Sequence, residues 1–224
     1  MFNKGSIKNL FVEKMRGKVS LVADALFRSN AIKFGCFKLK SGITSPYYID
    51  LTWLLSSPED FRGVVEVIAG EIRSFTSESG VRIDKLASIE LKGALILPSV
   101  AERLNMPCVI VRKEVKTYGL TGRIVGGEVK EGDHILFFDD LITDGRSKVE
   151  GIKPLERMGA DVKLILVVVD REQGGRENLE RMGYKFRSIV KISEVVRSLM
   201  ESGKLKEERA MEILNYIRRF KVAS

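Results

Sequence analysis

Asp139 and Asp140 stand side by side at the end of an apolar run, Ile135 to Phe138, and a turn carrying Thr143, Asp144, Gly145 and Ser147 follows them. Two adjacent carboxylates repel a phosphate and suit sugar hydroxyls or a divalent cation. The turn suits the opposite charge. Its backbone N–H groups and the N-terminus of the next helix form an anion cradle, to which the hydroxyls add donors. A ligand with a phosphate at one end and a diol beside it satisfies both halves, and a ribose 5-phosphate has that shape. Two plainer readings stay open here: Asp-Gly is a common turn signal, and an acidic pair at a strand end is often only solvated. A calcium loop does not fit, because with Asp140 first the third and twelfth ligand places fall on Ile142 and Gly151. Walker A fails as well, since no Gly-Lys-Ser/Thr follows the glycine.

Such residues need a strand before them and a helix behind. Ile135–Phe138 reads as a strand buried on both faces, and Val149, Ile152, Leu155 and Met158 recur at helical spacing. Upstream, residues 7–29 read as a helix with a potential break at Gly17, and a hairpin follows, with Phe37/Leu39 and Tyr48/Leu51 flanking its turn. Ser57-Pro58-Glu59-Asp60 is a helix start, with Phe61, Val64, Val65, Ile68 and Ile72 at core spacing behind it. Leu86–Glu90 is a strand, and Lys92-Gly93 opens a helix in which Pro98 predicts a kink or a late start. Pro107–Val111 is a buried strand ending in Arg112-Lys113. Four glycines between residues 114 and 127 suggest a mobile loop or hairpin of the kind that forms lids. Val162–Val169 is a third buried strand and ends at Asp170-Arg171. A short helix, a strand over 186–192 and two helices complete the chain, the last with a stripe of Ala210, Ile213, Leu214 and Ile217.

Alternating strands and helices imply an α/β fold with a mainly parallel twisted sheet flanked by helices. Glu90 with Lys92-Gly93, Arg112-Lys113 and Asp139-Asp140 then converge on one sheet edge, where such folds place ligands. At 224 residues and 44% apolar composition the chain can bury one substantial core. We therefore expect a single domain: an N-terminal elaboration over 1–56, a core over 57–192 and C-terminal helices over 193–224. No run is apolar enough to span a membrane, and the early lysines lack the apolar block of a signal peptide. Cys36 and Cys108 read as free thiols in a reducing cytoplasm. The net charge of +8 is dispersed among acids, so it fits a polyanionic small molecule as well as nucleic acid.

Phe137-Phe-Asp-Asp-Leu-Ile-Thr-Asp-Gly-Arg-Ser147 resembles the phosphoribosyl pyrophosphate (PRPP) motif of type I phosphoribosyltransferases. Within that group, Phe34-Gly-Cys-Phe-Lys-Leu-Lys-Ser-Gly-Ile-Thr-Ser-Pro-Tyr-Tyr48 is similar to the N-terminal signature of orotate phosphoribosyltransferases. Arg112-Lys-Glu-Val-Lys-Thr-Tyr-Gly119 looks like their catalytic-loop signature, and Asp170-Arg171 like the segment after the next strand. The four motifs occur in the family's order from Phe34 to Gly175.

This resemblance implies a type I phosphoribosyltransferase fold with an N-terminal helix-hairpin hood, and transfer of ribose 5-phosphate from PRPP to orotate. It puts Lys40, Tyr47, Tyr48, Thr143 and Arg171 at orotate. It assigns pyrophosphate to Glu90, Leu91, Lys92 and Gly93 together with Arg112, Lys113, Lys116 and Tyr118. The ribose hydroxyls go to Asp139 and Asp140, and the 5-phosphate to the loop of Leu141, Ile142, Thr143, Asp144, Gly145, Arg146 and Ser147. Lys113, Lys116, Asp139 and Asp140 would be catalytic. Magnesium would be held mainly by PRPP, with Asp139 and Asp140 as candidate ligands. The resemblance also implies a homodimer in which the 113–127 loop reaches the neighbouring site, and a decarboxylase as a candidate partner. There are departures: Tyr118 stands where the loop often has histidine, Ser88 where glycine is frequent, and Arg146 where a small residue is usual. The rival readings are a phosphoribosyltransferase for another base and a non-catalytic PRPP-sensing regulator.

Overall fold

The computed structural model describes residues 4–38, 42–116 and 122–222. Two compact units emerge, Met1–Val64 with Ile192–Arg219, and Val65–Lys191 with Phe220–Ser224.

The first unit contains α1 (Lys4–Arg28), the strands β1 (Ile32–Lys38) and β2 (Thr44–Ile49), and the first turns of α2 (Pro58–Ser79). It also holds α6 (Ile192–Glu201) and most of α7 (Glu207–Val222). Helix α1 runs through Gly17 without a break, because one glycine in a long helix costs only about 1 kcal/mol. β1 and β2 pair antiparallel, as the hairpin pattern predicts, with a register shift between Phe34 and Phe37. Ser57 precedes α2, and its hydroxyl donates to Asp60 at 2.7 Å, while the Arg28 guanidinium reaches the same carboxylate from α1. Burial alone would raise the Asp60 carboxyl, but these two hydrogen bonds outweigh it and hold it below its ordinary 3.8. Tyr47 is fully buried and meets Tyr216 edge-on at 6.1 Å.

In the second unit the described residues form a six-stranded sheet in the order β5-β4-β3-β6-β7-β8. The strands are β3 (Lys85–Ile89), β4 (Cys108–Lys116), β5 (Gly122–Val125), β6 (His134–Ile142), β7 (Asp161–Asp170) and β8 (Phe186–Lys191). All neighbours run parallel except β4 and β5. β4 extends five residues past the expected Val111, because β5 turns back along it and pairs Lys116 with Gly122. The 114–127 segment is thus hairpin limbs on either side of 117–121, which lie outside the described residues. The rest of α2 and helices α3 (Lys92–Leu104), α4 (Arg146–Glu156) and α5 (Gly175–Arg181) belong to the same unit, and Pro98 sits inside α3.

The core of this sheet is as apolar as the runs predicted. Leu136, Phe137, Phe138 and Leu166 through Val169 have no exposed surface. At about 25 cal/mol per Å² of apolar area, each such side chain contributes roughly 1.5–3 kcal/mol against conformational entropy. No helix among the described residues is long and apolar enough to cross a membrane.

Candidate active site

The strand order decides where a ligand can enter. From β3 the chain moves outward to β4, while β6 returns to the other side of β3. Helical connections leave opposite faces at such a switch point and open a crevice beyond the strands' carboxyl ends. Asp139 and Asp140 are in the C-terminal part of β6, each 5% exposed. Across the crevice is Gly93, in the first turn of α3. A Cβ on Gly93 would fall on the Asp139 carboxylate and within 2.8 Å of the Asp139 Cα, and only 2.6 Å from the Ser88 hydroxyl. Glycine is required there because two backbones meet. A Gly93→Ala variant should push α3 off β6, cost about 1–3 kcal/mol of stability and weaken binding of any ligand that uses this crevice. Urea unfolding and substrate titration of the variant check both effects, and wild-type values in both would contradict the packing argument.

The pair is not symmetrical. Asp139 has both oxygens engaged: Oδ1 accepts from the Asp140 backbone N–H at 2.9 Å, and Oδ2 accepts from Lys148 Nζ at 2.5 Å. Asp140 Oδ2 is buried and has no hydrogen-bond partner among the described residues. Burial, then repulsion from the Asp139 carboxylate, push the Asp140 carboxyl up to about 7, against the attraction of the Lys148 ammonium.

The loop after the pair turns at Gly145, whose φ of 87° is the left-handed region that glycine adopts at no cost. α4 begins at Arg146 with Gly145 as its cap. The loop is held from outside: Asn178 of α5 donates to the Asp144 carbonyl at 2.9 Å. Arg146 is exposed, and its side chain turns back onto Asp144 at 3.1 Å. The unusual arginine therefore leaves the loop's interior unfilled by its own bulk.

Next to the crevice, Glu90 accepts from the Lys113 backbone N–H at 2.7 Å, tying the β3 loop to the basic end of β4. Arg123 on β5 donates to the carbonyls of Arg112 and Lys113 at 2.9 and 3.0 Å. Lys113 is exposed and Arg112 half-buried. The Glu90–Leu91 peptide is cis, and Leu91 is 61% exposed. On the other side, Ile142 pairs in register with Asp170, and the Arg171 N–H donates to the Ile142 carbonyl at 3.1 Å. Thr143 and the buried Arg171 are thus brought together. Burial also raises the Asp170 carboxyl.

These contacts place an acidic pair, a glycine-turned loop at a helix start and a cationic strand end at one sheet edge. No family model matches the chain. The orotate phosphoribosyltransferase of Pyrococcus horikoshii is 39% identical over 184 residues, which cover 82% of this chain and 96% of that one. The chain belongs to the orotate phosphoribosyltransferase family. Among solved structures, the UMP synthase of Leishmania donovani superposes with a TM-score of 0.80 at 30% identity, covering 91% of this chain and 43% of that one. The orotate phosphoribosyltransferase of Aeropyrum pernix gives 0.69 at 28% identity, covering 80% of this chain and 97% of its own.

Several of the expected orotate phosphoribosyltransferase site residues can now be placed. Glu90 to Gly93, Arg112, Lys113 and Asp139 to Ser147 share the carboxyl edge of the second unit's sheet. In the first unit, Tyr47 is a core side chain, whereas Tyr48 is 38% exposed and stacks at a tilt on Phe37. Lys40, Tyr118 and the Lys116 side chain lie outside the described residues. His134 starts β6, at the end of the strand remote from the acidic pair, and its Nδ1 is 3.1 Å from the Arg82 carbonyl. Lys148 was not among the expected residues. It shares the buried stripe of α4 with Ile152 and Leu155, at positions i, i+4 and i+7. A lysine at a core position of an otherwise apolar stripe is the one signal that could have found it.

Proposed function

We propose that this chain transfers the ribose 5-phosphate group of PRPP to orotate, forming orotidine 5'-monophosphate and pyrophosphate in pyrimidine biosynthesis. The observation that carries the proposal is the meeting of Gly93 and the acidic pair at the switch point. It supports a reading in which the loop opened by Lys92-Gly93 meets pyrophosphate and the acidic pair beside it meets the ribose hydroxyls.

In the reaction a ring nitrogen of orotate bonds to C1 of the ribose as the C1–O bond to pyrophosphate breaks. Positive charge builds on the sugar and negative charge on the leaving group. Asp140 accepts hydrogen bonds from the ribose hydroxyls, with Asp139 fixed beside it. The loop over 141–147 holds the 5-phosphate against the start of α4. Glu90 and Leu91 shape the pyrophosphate loop with Lys92 and Gly93. Arg112, Lys113 and Lys116 neutralise the departing pyrophosphate, a task for preorganised cations in a site closed to water, and the Tyr118 hydroxyl adds a hydrogen bond but no charge. Orotate is already an anion and needs steering more than deprotonation, which suits the Arg171 guanidinium with Thr143 beside it. Holding both reactants in line contributes on the order of 7 kcal/mol or more.

A magnesium ion fits this donor set on one condition. Among the described residues no three ligating side chains cluster, so an ion here takes most of its oxygens from PRPP and water, as magnesium commonly does. Asp140, with an unpartnered oxygen, suits it better than Asp139, and the ion would add positive charge beside the leaving group. The functional unit in our reading is a cytoplasmic homodimer, each 113–127 loop serving the partner's site. The product keeps orotate's carboxylate, which UMP lacks, so a decarboxylase is the natural partner.

Loss of orotate absorbance on mixing with PRPP and magnesium is the test. We expect turnover with orotate and none when adenine, guanine or uracil takes its place. Turnover of another base without orotate loss would overturn the assignment, and PRPP binding without turnover of any base would favour a sensor.

A further inference from the structure

Lys148 is a lysine in a costly place. It is 4% exposed, and taking an ammonium out of water costs several kcal/mol unless a partner compensates. It also sits in the first turn of α4, where the helix dipole disfavours a cation. A solvated lysine of an amphipathic helix would point the other way. Here Nζ lies 2.5 Å from Asp139 Oδ2 and 3.2 Å from the Ser147 hydroxyl. The second oxygen of Asp139 is taken by the Asp140 N–H. Each Asp139 oxygen therefore already accepts a hydrogen bond, and the ammonium offsets its charge. Asp140, one residue on, keeps an oxygen without a partner among the described residues.

We propose that Lys148 is the positioning residue of the acidic pair: it fixes Asp139 and offsets its charge, so that Asp140 presents its unpartnered oxygen to the ribose diol. The inference rests on the proposed use of PRPP. Without the ammonium, two buried carboxylates would stand adjacent and uncompensated, and a ligand carrying several negative charges would meet an extra one. Asp139 would also be free to turn into the space of the sugar. Through Ser147, the same ammonium ties the diol site to the phosphate loop, so both ends of the sugar phosphate are set by one side chain.

The experiment measures PRPP binding directly, by calorimetry in magnesium, for wild type, Lys148→Met, Lys148→Arg, Asp139→Asn and the double variant Asp139→Asn/Lys148→Met. Lys148→Met should bind PRPP about 10-fold or more weakly and show the loss in KM for PRPP more than in kcat or KM for orotate. Lys148→Arg should recover most of the affinity. If Lys148 acts through Asp139, the double variant should bind no worse than Asp139→Asn alone, a comparison that still holds if Lys148→Met fails to fold. Wild-type PRPP affinity in Lys148→Met, or additive losses in the double variant, would overturn the proposal. A wild type that binds PRPP but transfers to another base would instead correct the function and leave Lys148 in its role.

Discussion

Asp140→Asn should make the ligand-free protein more stable at pH 8 while reducing its transferase activity by about 100-fold or more. Burial and the Asp139 carboxylate raise the Asp140 carboxyl from 3.8 to about 7 in the folded chain. A carboxyl raised on folding stays protonated when its unfolded counterpart has already ionised. Its stabilising contribution is therefore complete below the ordinary value. It declines as pH climbs from about 4 to about 7 and is absent above that. The shift corresponds to something on the order of 4 kcal/mol, and asparagine, which never ionises, does not incur it. Urea unfolding at pH 5, 6, 7 and 8 without metal or PRPP should show the variant's advantage widening with pH, then levelling off. An advantage that stays constant across that range would remove the argument. In the proposed reaction, ribose hydroxyls or a cation would offset the cost of an ionised Asp140, which would link poor stability at this position to good binding.

Lys116→Ala should lower activity by about 100- to 1,000-fold and leave thermal stability unchanged, because the backbone pairing of residue 116 with Gly122 at the end of β4 does not depend on the side chain. Its role reaches further if the loop serves the neighbouring subunit. Mixing Lys116→Ala with Asp140→Asn, each inactive alone, would create hybrid dimers with one intact site, drawing Asp140 from one chain and Lys116 from the other. Random exchange should restore about a quarter of wild-type activity. No recovery after verified exchange would place Lys116 in its own chain's site.

Much of this molecule could be read without coordinates, for local reasons. Val162 to Val169 announce a doubly buried strand, since no alternation is needed where both faces are covered. The acidic pair and the turn after it are contiguous, and one strand–loop–helix segment supplies both the diol and the phosphate chemistry. Ser57 to Asp60 carry the start of α2 in their own side chains. Glycine's role at 145 follows from its turn. Tertiary structure decided what depends on distant neighbours. Gly93 is indispensable only because β3 and β6 lie side by side, so that α3 begins against Asp139. β4 outruns its apolar core because β5 pairs with its far end. Tyr47 and Tyr48 are indistinguishable as letters, and pleating sends one into a core and the other to the surface. Lys148 falls on the apolar stripe of α4 by spacing, but only the fold brings the Asp139 carboxylate to 2.5 Å from its ammonium. Residue type and spacing determine which chemistry a chain can offer; which charge is cancelled, and which is left to meet the ligand, depends on long-range packing that local pattern does not encode.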